Sequence, residues 1–399
     1  MTGNESSRPL RILHLGKYFY PDSGGIETVT KDIAQGAARA GNDVTVLCFG
    51  HVDRPLEERC CDVHVLRVPI WKLTASQPIG WQYLREFRRK VGAFDIVHVH
   101  VPNMLAALAV TVTRIPGRVV VHWHSDVVGK GLLGKLMRPL EWLMLRRADA
   151  IVTTSCHYAK ASPTLSGFGA KLHVIPIGIA DAAVFQDVDD DTSSGVEEAA
   201  RALSADLPDN TQIILAVGRL VAYKGFDVLV QAARQLHSDC RVIIVGGGER
   251  LQELGSQVRA QGLSGRVILA GRLDDESLRS LFQRAAVFCL PSVSRAEAFG
   301  VVLLEAMAHG LPIVASDIAG SGVPWVNRHL ETGLNVPVGD ASALASALTQ
   351  LLADPDQRLQ MGHRARQRFE TEFTAELATQ RFLDLYRRLA ECVPAELAT

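Results

Sequence analysis

Residues 291–312 read PSVSRAEAFGVVLLEAMAHGLP and follow the apolar run VFCL at 287–290. So short and continuous an apolar run fits a strand covered on both faces. A loop comes next. Gly300 then opens a helix that stops at Gly310, with Pro312 just beyond, the usual termination signals. Phe299 and Gly300 place backbone N–H groups at the helix N-terminus, where a phosphate binds well. Glu297 lies in the loop and Glu305 on the helix, roughly 7–8 Å along the axis from Gly300 at 1.5 Å per residue. That spacing suits two carboxylates serving a ribose and a sugar on either side of a diphosphate. A helix start flanked by two solvated carboxylates would read the same way in isolation, so the rest of the chain decides.

The strand–loop–helix rhythm extends in both directions. Val- and Ile-rich runs at 11–15, 44–49, 63–68, 96–101, 119–123, 150–154 and 173–176 read as buried parallel strands. Helical patterns lie between several of them, for example at 27–40 and 135–147. Residues 187–210, DVDDDTSSGVEEAARALSADLPDN, break the rhythm and read as a linker with a short helix at 197–204. A second series follows at 212–217, 241–245, 267–270, 287–290, 313–315 and 334–337, and a last helix is predicted over 375–390. Two βαβ series predict an α/β protein of two Rossmann-like, doubly wound domains facing a cleft.

Two further loops carry weight. After the strand at 212–217 comes Gly218-Arg219, and Lys224-Gly225 closes the same loop. Cations at the C-terminal end of such a strand sit where doubly wound sheets bind ligands. Arg219 can grip a phosphate with two donors and Lys224 adds a point charge. Beside a phosphate-ready helix, they read as a diphosphate clamp. In the first half, Tyr20-Pro-Asp-Ser-Gly24-Gly25-Ile-Glu27 precedes a helix, and paired glycines let a backbone approach a ligand closely. The GxGxxG dinucleotide fingerprint is absent, which counts against a nicotinamide enzyme. Gly246-Gly247-Gly248-Glu249 is a weaker glycine turn.

Composition bounds the class. The chain has 399 residues, 47% hydrophobic and 21% charged, the profile of a soluble two-domain protein. No apolar run reaches the roughly 18–20 residues of a spanning helix. The polar first nine residues lack a signal-peptide core, so a cytoplasmic address is expected. The seven cysteines show no framework or zinc-site spacing and read as free thiols. Residues 1–180 hold 22 Lys+Arg against 14 Asp+Glu, and the remainder 20 against 29. A basic first half suits an anionic partner. No nucleic-acid module is visible.

GGIE at 24–27, HWHSD at 122–126, GRLVAYKG at 218–225 and EAFGVVLLE at 297–305 together resemble the signatures of glycosyltransferase family 4. The likeness spans nearly the whole chain, with the motifs in family order. It implies a GT-B fold and sugar transfer with retention at the anomeric carbon. It also implies no bound metal and no cofactor, the nucleotide sugar being a substrate. The domains would then be an acceptor-binding domain at 1–186, a linker at 187–210, and a nucleotide-sugar-binding domain at 211–372. The segment 373–399 would be a helix packing back on the first domain. Residue by residue, the resemblance places Gly25 near the donor phosphates and gives Arg219 and Lys224 the leaving diphosphate. Glu297 would position the donor sugar, with the Phe299 and Gly300 amides beside the phosphate. Glu305 would hold the ribose hydroxyls, and His124 would contact the sugar near the reacting centre, supported by Asp126. In the front-face mechanism usually assigned to such enzymes, the leaving phosphate accepts the acceptor's proton. Glu297 is then not a nucleophile.

The stretch 119–155 and the opening loop look most like bacterial mannosyl- and rhamnosyltransferases of O-polysaccharide assembly. The expected donor is GDP-mannose or a GDP-deoxymannose, and the acceptor a glycan or lipid-linked glycan. A UDP-sugar donor and a GT-B sugar-nucleotide epimerase are the alternatives. Asp189-Asp190-Asp191 mimics a metal-binding DxD motif but lies in the polar linker, where no metal site is expected. His98 and His100 point the same way from one strand; they read first as core or supporting histidines, with one of them near the acceptor cleft as the alternative. His122 and His124 could pair on zinc, but no third ligand stands out. The segment from Lys130 to Arg147 combines basic and apolar residues around Pro139, expected to kink or restart the helix. Two readings stand: a helix packed on the N-terminal sheet, or peripheral contact with an anionic membrane.

Overall fold

The computed structural model describes residues 8–22, 24–50, 56–60, 62–74, 77–126, 131–181 and 211–391, with backbone alone for 131–137. The expected linker and its short helix, the Asp189–Asp191 run and Lys130 lie outside these residues. The chain forms two units, Met1–Ala180 with Thr374–Thr399, and Asp181–Phe373.

The first unit contains β1 (Arg11–Leu15), β2 (Asp43–Gly50), β3 (Glu57–Cys60), β4 (Val63–Pro69), β5 (Lys72–Thr74), β6 (Gln77–Ile79), β7 (Ile96–Val101), β8 (Arg118–Trp123), β9 (Ala150–Thr153) and β10 (Leu172–Val174). Eight of them form one sheet in the order β10-β9-β8-β7-β1-β2-β4-β3, and β5 pairs with β6 in a hairpin. All neighbours in the large sheet are parallel except β3, which runs antiparallel to β4. The continuous apolar runs have their physical reason here: every residue of β7 and β9 is buried, as expected when helices cover both faces. The helix Gly25–Arg39 turns Val29, Ile33, Ala34 and Ala37 inward. Asn103 caps the next covering helix, Met104–Val112, by accepting from the Ala106 amide at 3.2 Å, a standard N-cap contact.

Apolar patterning predicts no strand at β3, β5 or β6. Glu57–Cys60 is charged and half exposed because it is an edge strand, and charge on an edge discourages further pairing. Its Glu58 meets the buried guanidinium of Arg67 across the strand pair.

The second unit is built on β11 (Gln212–Val217), β12 (Cys240–Val245), β13 (Val267–Gly271), β14 (Val287–Leu290), β15 (Ile313–Ser316) and β16 (Gly333–Val336). Their order is β13-β12-β11-β14-β15-β16, all parallel. Ile214, Val230, Ile244, Val314 and Leu348 belong to its core. The chain re-enters the first unit where the Ala375 amide donates to the Ile179 carbonyl at 2.9 Å. The last helix, Ala375–Glu391, then packs on Gly25–Arg39. Gly36 faces Thr379 so closely that a Cβ there would overlap it.

In both sheets the strand order reverses beside the first strand: between β1 and β7, and between β11 and β14. Such switch points leave a crevice at the C-terminal strand ends, the usual ligand position in open α/β sheets. Both therefore mark where function should be sought.

Candidate active site

At the second unit's switch point, the loop after β11 carries Arg219 and Lys224, and the loop after β14 carries Glu297, Phe299 and Gly300. Gly225 lets the two loops touch. It sits at φ +65°, and a Cβ on it would overlap the Pro291 carbonyl. The Val293 amide then donates to the Tyr223 carbonyl at 2.7 Å. From behind, Gly246–Gly248 support the β11 loop, with the Leu220 amide donating to the Gly247 carbonyl at 3.0 Å. Side chains at Gly246 or Gly248 would strike the Gly218 or Leu220 backbone. The glycine turn that looked weak in the sequence thus fixes the floor of the cation loop.

This architecture brings Lys224 Nζ within 2.6 Å of Glu297 Oε2. Both residues are buried. The Ser292 hydroxyl donates to the same carboxylate oxygen at 3.0 Å, and the Ser321 hydroxyl donates to the Glu297 carbonyl at 2.5 Å. Phe299 is buried against Trp325 and Phe373, with ring centroids 6.1 and 6.2 Å away. Gly300 caps the helix Val301–Ala308 in the left-handed region, φ +78°, where glycine is the least strained residue. Packing of Phe299 and the glycine-favouring backbone at Gly300 thus both support this turn.

Glu305 stands one turn into that helix. Burial pushes its carboxyl up to about 7, Asp275 adds to the rise, and Lys224 opposes it. Arg219 is exposed, in contrast to its loop partner Lys224.

In the first unit, Gly25 begins its helix with open space where a Cβ would stand. Asp126 is turned into the protein. Its Oδ1 accepts from Trp123 Nε1 at 3.0 Å and from the Ser162 hydroxyl at 2.7 Å. Its backbone amide donates to the Tyr158 hydroxyl at 2.5 Å. These contacts make Asp126 an anchor for the segment that presents His124.

His124 is 6% exposed and belongs to a larger group. Sheet register sets His14 on β1 beside His98 on β7, and His100 on β7 beside His122 on β8. With His124 just past β8, five buried histidines lie together. Ring nitrogens of His14, His98 and His100, and of His100, His122 and His124, lie within 4.8 Å of one another. A third histidine therefore does stand beside His122 and His124, contrary to the sequence reading. The signal was present as two H-x-H pairs and His14, but it needed the order β1-β7-β8 to be read. Burial drives all five rings toward neutrality, His14 and His124 down to about 3 and His98, His100 and His122 well below the usual value.

The two doubly wound units match the GT-B fold, and comparison with known proteins sets the chain among glycosyltransferases. The family model of Glycosyltransferase Family 4 matches residues 23–182, and that of Glycosyl transferases group 1 matches 202–368. The chain is 32% identical to the O-antigen chain mannosyltransferase C of Escherichia coli, over 96% of this chain and 99% of that protein. It is 32% identical to the D-rhamnosyltransferase WbpZ of Pseudomonas aeruginosa, over 92% and 93%. It therefore belongs to glycosyltransferase family 4. Among solved structures, the sucrose-phosphate synthase from Thermosynechococcus elongatus superposes with TM-score 0.79 at 24% identity, covering 96% of this chain and all of that one. HepE of Anabaena, in complex with UDP-glucose, superposes with TM-score 0.75 at 20% identity, covering 95% and all. Both share the GT-B fold.

Proposed function

We propose that this chain is a retaining hexosyltransferase that moves mannose or a deoxymannose from a GDP-sugar to a glycan or lipid-linked glycan in cell-surface polysaccharide assembly. The observation that carries the reading is the Lys224–Glu297 pair set at the β11/β14 switch point beside the Gly300 helix start. The names of the mannosyl- and rhamnosyltransferase relatives support the sugar. UDP remains the alternative nucleotide, supported by neighbours solved with it.

The chemistry follows from charge. Breaking a glycosyl–phosphate bond develops negative charge on the diphosphate and positive charge on the sugar ring. Lys224 and Arg219 meet the first, and the Phe299 and Gly300 amides lie beside the phosphate. Glu297, held by Lys224 and Ser292, orients the sugar. Glu305 receives the ribose hydroxyls. In the same reading His124 meets the donor sugar and Gly25 its phosphates. The departing phosphate oxygen takes the acceptor's proton, so the step needs neither a protein nucleophile nor a metal.

The enzyme acts at the cytoplasmic side of a membrane in this reading. Among the described residues no helix is long and apolar enough to cross one. The helix Gly131–Arg147 runs unbroken with Pro139 inside it. Met144 and Leu145 are buried, while Trp142 and Leu143 are 47% and 44% exposed. Arg146 lies over the Trp142 ring at 4.7 Å. Apolar side chains beside a cation support peripheral contact with anionic lipid. Calorimetric titration with GDP, UDP and their mannosyl and glucosyl derivatives tests the donor assignment. Tighter binding of GDP-mannose than of every UDP ligand is expected, and preference for a UDP-sugar would reject the guanine assignment.

A further inference from the structure

The five buried histidines invite a metal, but their rings are arranged otherwise. An imidazole binds an ion through a lone pair in its own plane. His122 and His124 are stacked with centroids 3.9 Å apart, and His98 and His100 with centroids 4.3 Å apart. Rings stacked face to face cannot both aim at one ion between them. Two other contacts are edge to edge. His14 Nδ1 lies 3.0 Å from His100 Nε2, and His100 Nδ1 lies 3.1 Å from His124 Nε2. Their centroids, 5.3 and 5.4 Å apart with interplanar angles of 23° and 17°, fit in-plane hydrogen bonds.

We propose that His14 and His100 are positioning residues that hold His124 in its Nδ1–H tautomer through this chain of two imidazole–imidazole hydrogen bonds. Each neutral ring carries one proton, so it donates through one nitrogen and accepts through the other. His100 uses both nitrogens within the chain, and the two bonds must therefore point the same way. In one direction His14 Nδ1–H donates to His100 Nε2, His100 Nδ1–H donates to His124 Nε2, and His124 keeps its proton on Nδ1. In the other, every proton moves to the opposite nitrogen, and His14 must carry N–H on Nε2. That atom is buried with no partner. A buried N–H without an acceptor is rarer, and an unused lone pair is the milder defect. The first direction wins.

The consequence is specific. The chain occupies His124 Nε2, so the nitrogen left for substrate is Nδ1, presented as a donor. It can give a hydrogen bond to a sugar oxygen and cannot take a proton from a hydroxyl. His98 is outside the chain: its Nδ1 contacts the Tyr386 hydroxyl at 2.5 Å, and it stacks on His100. Sequence position would not reveal this, because the three members lie on β1, on β7 and just beyond β8.

The inference rests on the glycosyltransferase reading only for its catalytic meaning. The tautomer itself is measured on the full chain without donor, so either can fail while the other stands. Long-range ¹⁵N–¹H NMR of ¹⁵N-histidine-labelled protein reports which ring nitrogen carries the proton, with His124 assigned by loss of its signals in His124→Asn. We expect Nδ1–H for His124 in the native chain. His100→Phe, which preserves a flat ring but ends the chain, should release it toward the Nε2–H form that free imidazoles favour. His100→Leu removes the same two contacts and serves if the first variant does not fold. His122→Phe, altering the stack but not the chain, should leave the tautomer unchanged. Nε2–H in the native protein, no change in either chain variant, or an equal change in His122→Phe would each overturn the proposal. So would one equivalent of transition metal found by elemental analysis of the purified protein.

Discussion

Lys224 and Glu297 form a direct ion pair, Nζ to Oε2 at 2.6 Å, with side chains 11% and 10% exposed. They come from loops after β11 and β14, 73 positions apart in sequence. The pair holds the lysine where the leaving diphosphate is proposed to sit. Each member also depends on the other for burial. Lys224→Ala should therefore cost about 3–5 kcal/mol of the second unit's stability, because it strands a buried carboxylate. Combining Lys224→Met with Glu297→Gln should recover most of that loss. Urea unfolding of the single and combined variants checks this, and strictly additive losses would contradict the coupling.

Arg219 behaves differently because it is exposed. Arg219→Ala should leave stability within about 0.5 kcal/mol of the native value. Turnover should nonetheless fall about 10²–10³-fold, near 2.7–4 kcal/mol of transition-state stabilisation, by analogy with a lost oxyanion donor. Turnover within threefold of native would remove Arg219 from the diphosphate clamp.

Glu305 links stability to pH. Its carboxyl, raised to about 7 in the fold from an ordinary 4.5, ionises in the unfolded chain first. The stability it lends below about 4.5 is lost as pH rises to about 7. Glu305→Gln stays neutral throughout. Its stability relative to the native chain should therefore improve between pH 5 and pH 8, read as the difference in melting temperature at each pH. An unchanged difference would mean that the carboxyl titrates normally.

The predicted strands in both units lie within one or two residues of the observed ones, because parallel strands covered by helices must be apolar almost throughout. The Gly300 helix start and the cation loop were legible for a similar reason, since turn glycines and stop signals are local. What could not be read was contact across strands. The Lys224–Glu297 pair requires β11 to neighbour β14, and the histidine chain requires β1, β7 and β8 to lie side by side. Asp126 has one local partner in Trp123, but its contacts with Tyr158 and Ser162 come from 32 and 36 residues away and could not be read from the sequence. Edge strand β3 escaped because its charged residues carry no apolar pattern.

Membrane contact through the first unit should be electrostatic and salt-sensitive. Liposome co-sedimentation should show more binding to anionic than to neutral vesicles, falling as salt rises over the range where the Debye length shrinks from about 30 to 10 Å. Trp142→Ala with Arg146→Ala should weaken it. Equal or absent binding to both vesicle types at low salt would leave the helix Gly131–Arg147 with packing alone.

The proposed reaction is transfer from a nucleotide sugar with retention and without metal. Its most direct test is a donor panel run in excess EDTA, with and without a lipid-linked glycan acceptor, followed by NMR of the product's anomeric configuration. The expected result is consumption of a GDP-linked sugar only when acceptor is present, giving a product with the donor's own anomeric configuration. Inverted product, donor isomerised or hydrolysed equally without acceptor, or activity abolished by EDTA and restored by Mg²⁺ or Mn²⁺ would contradict it.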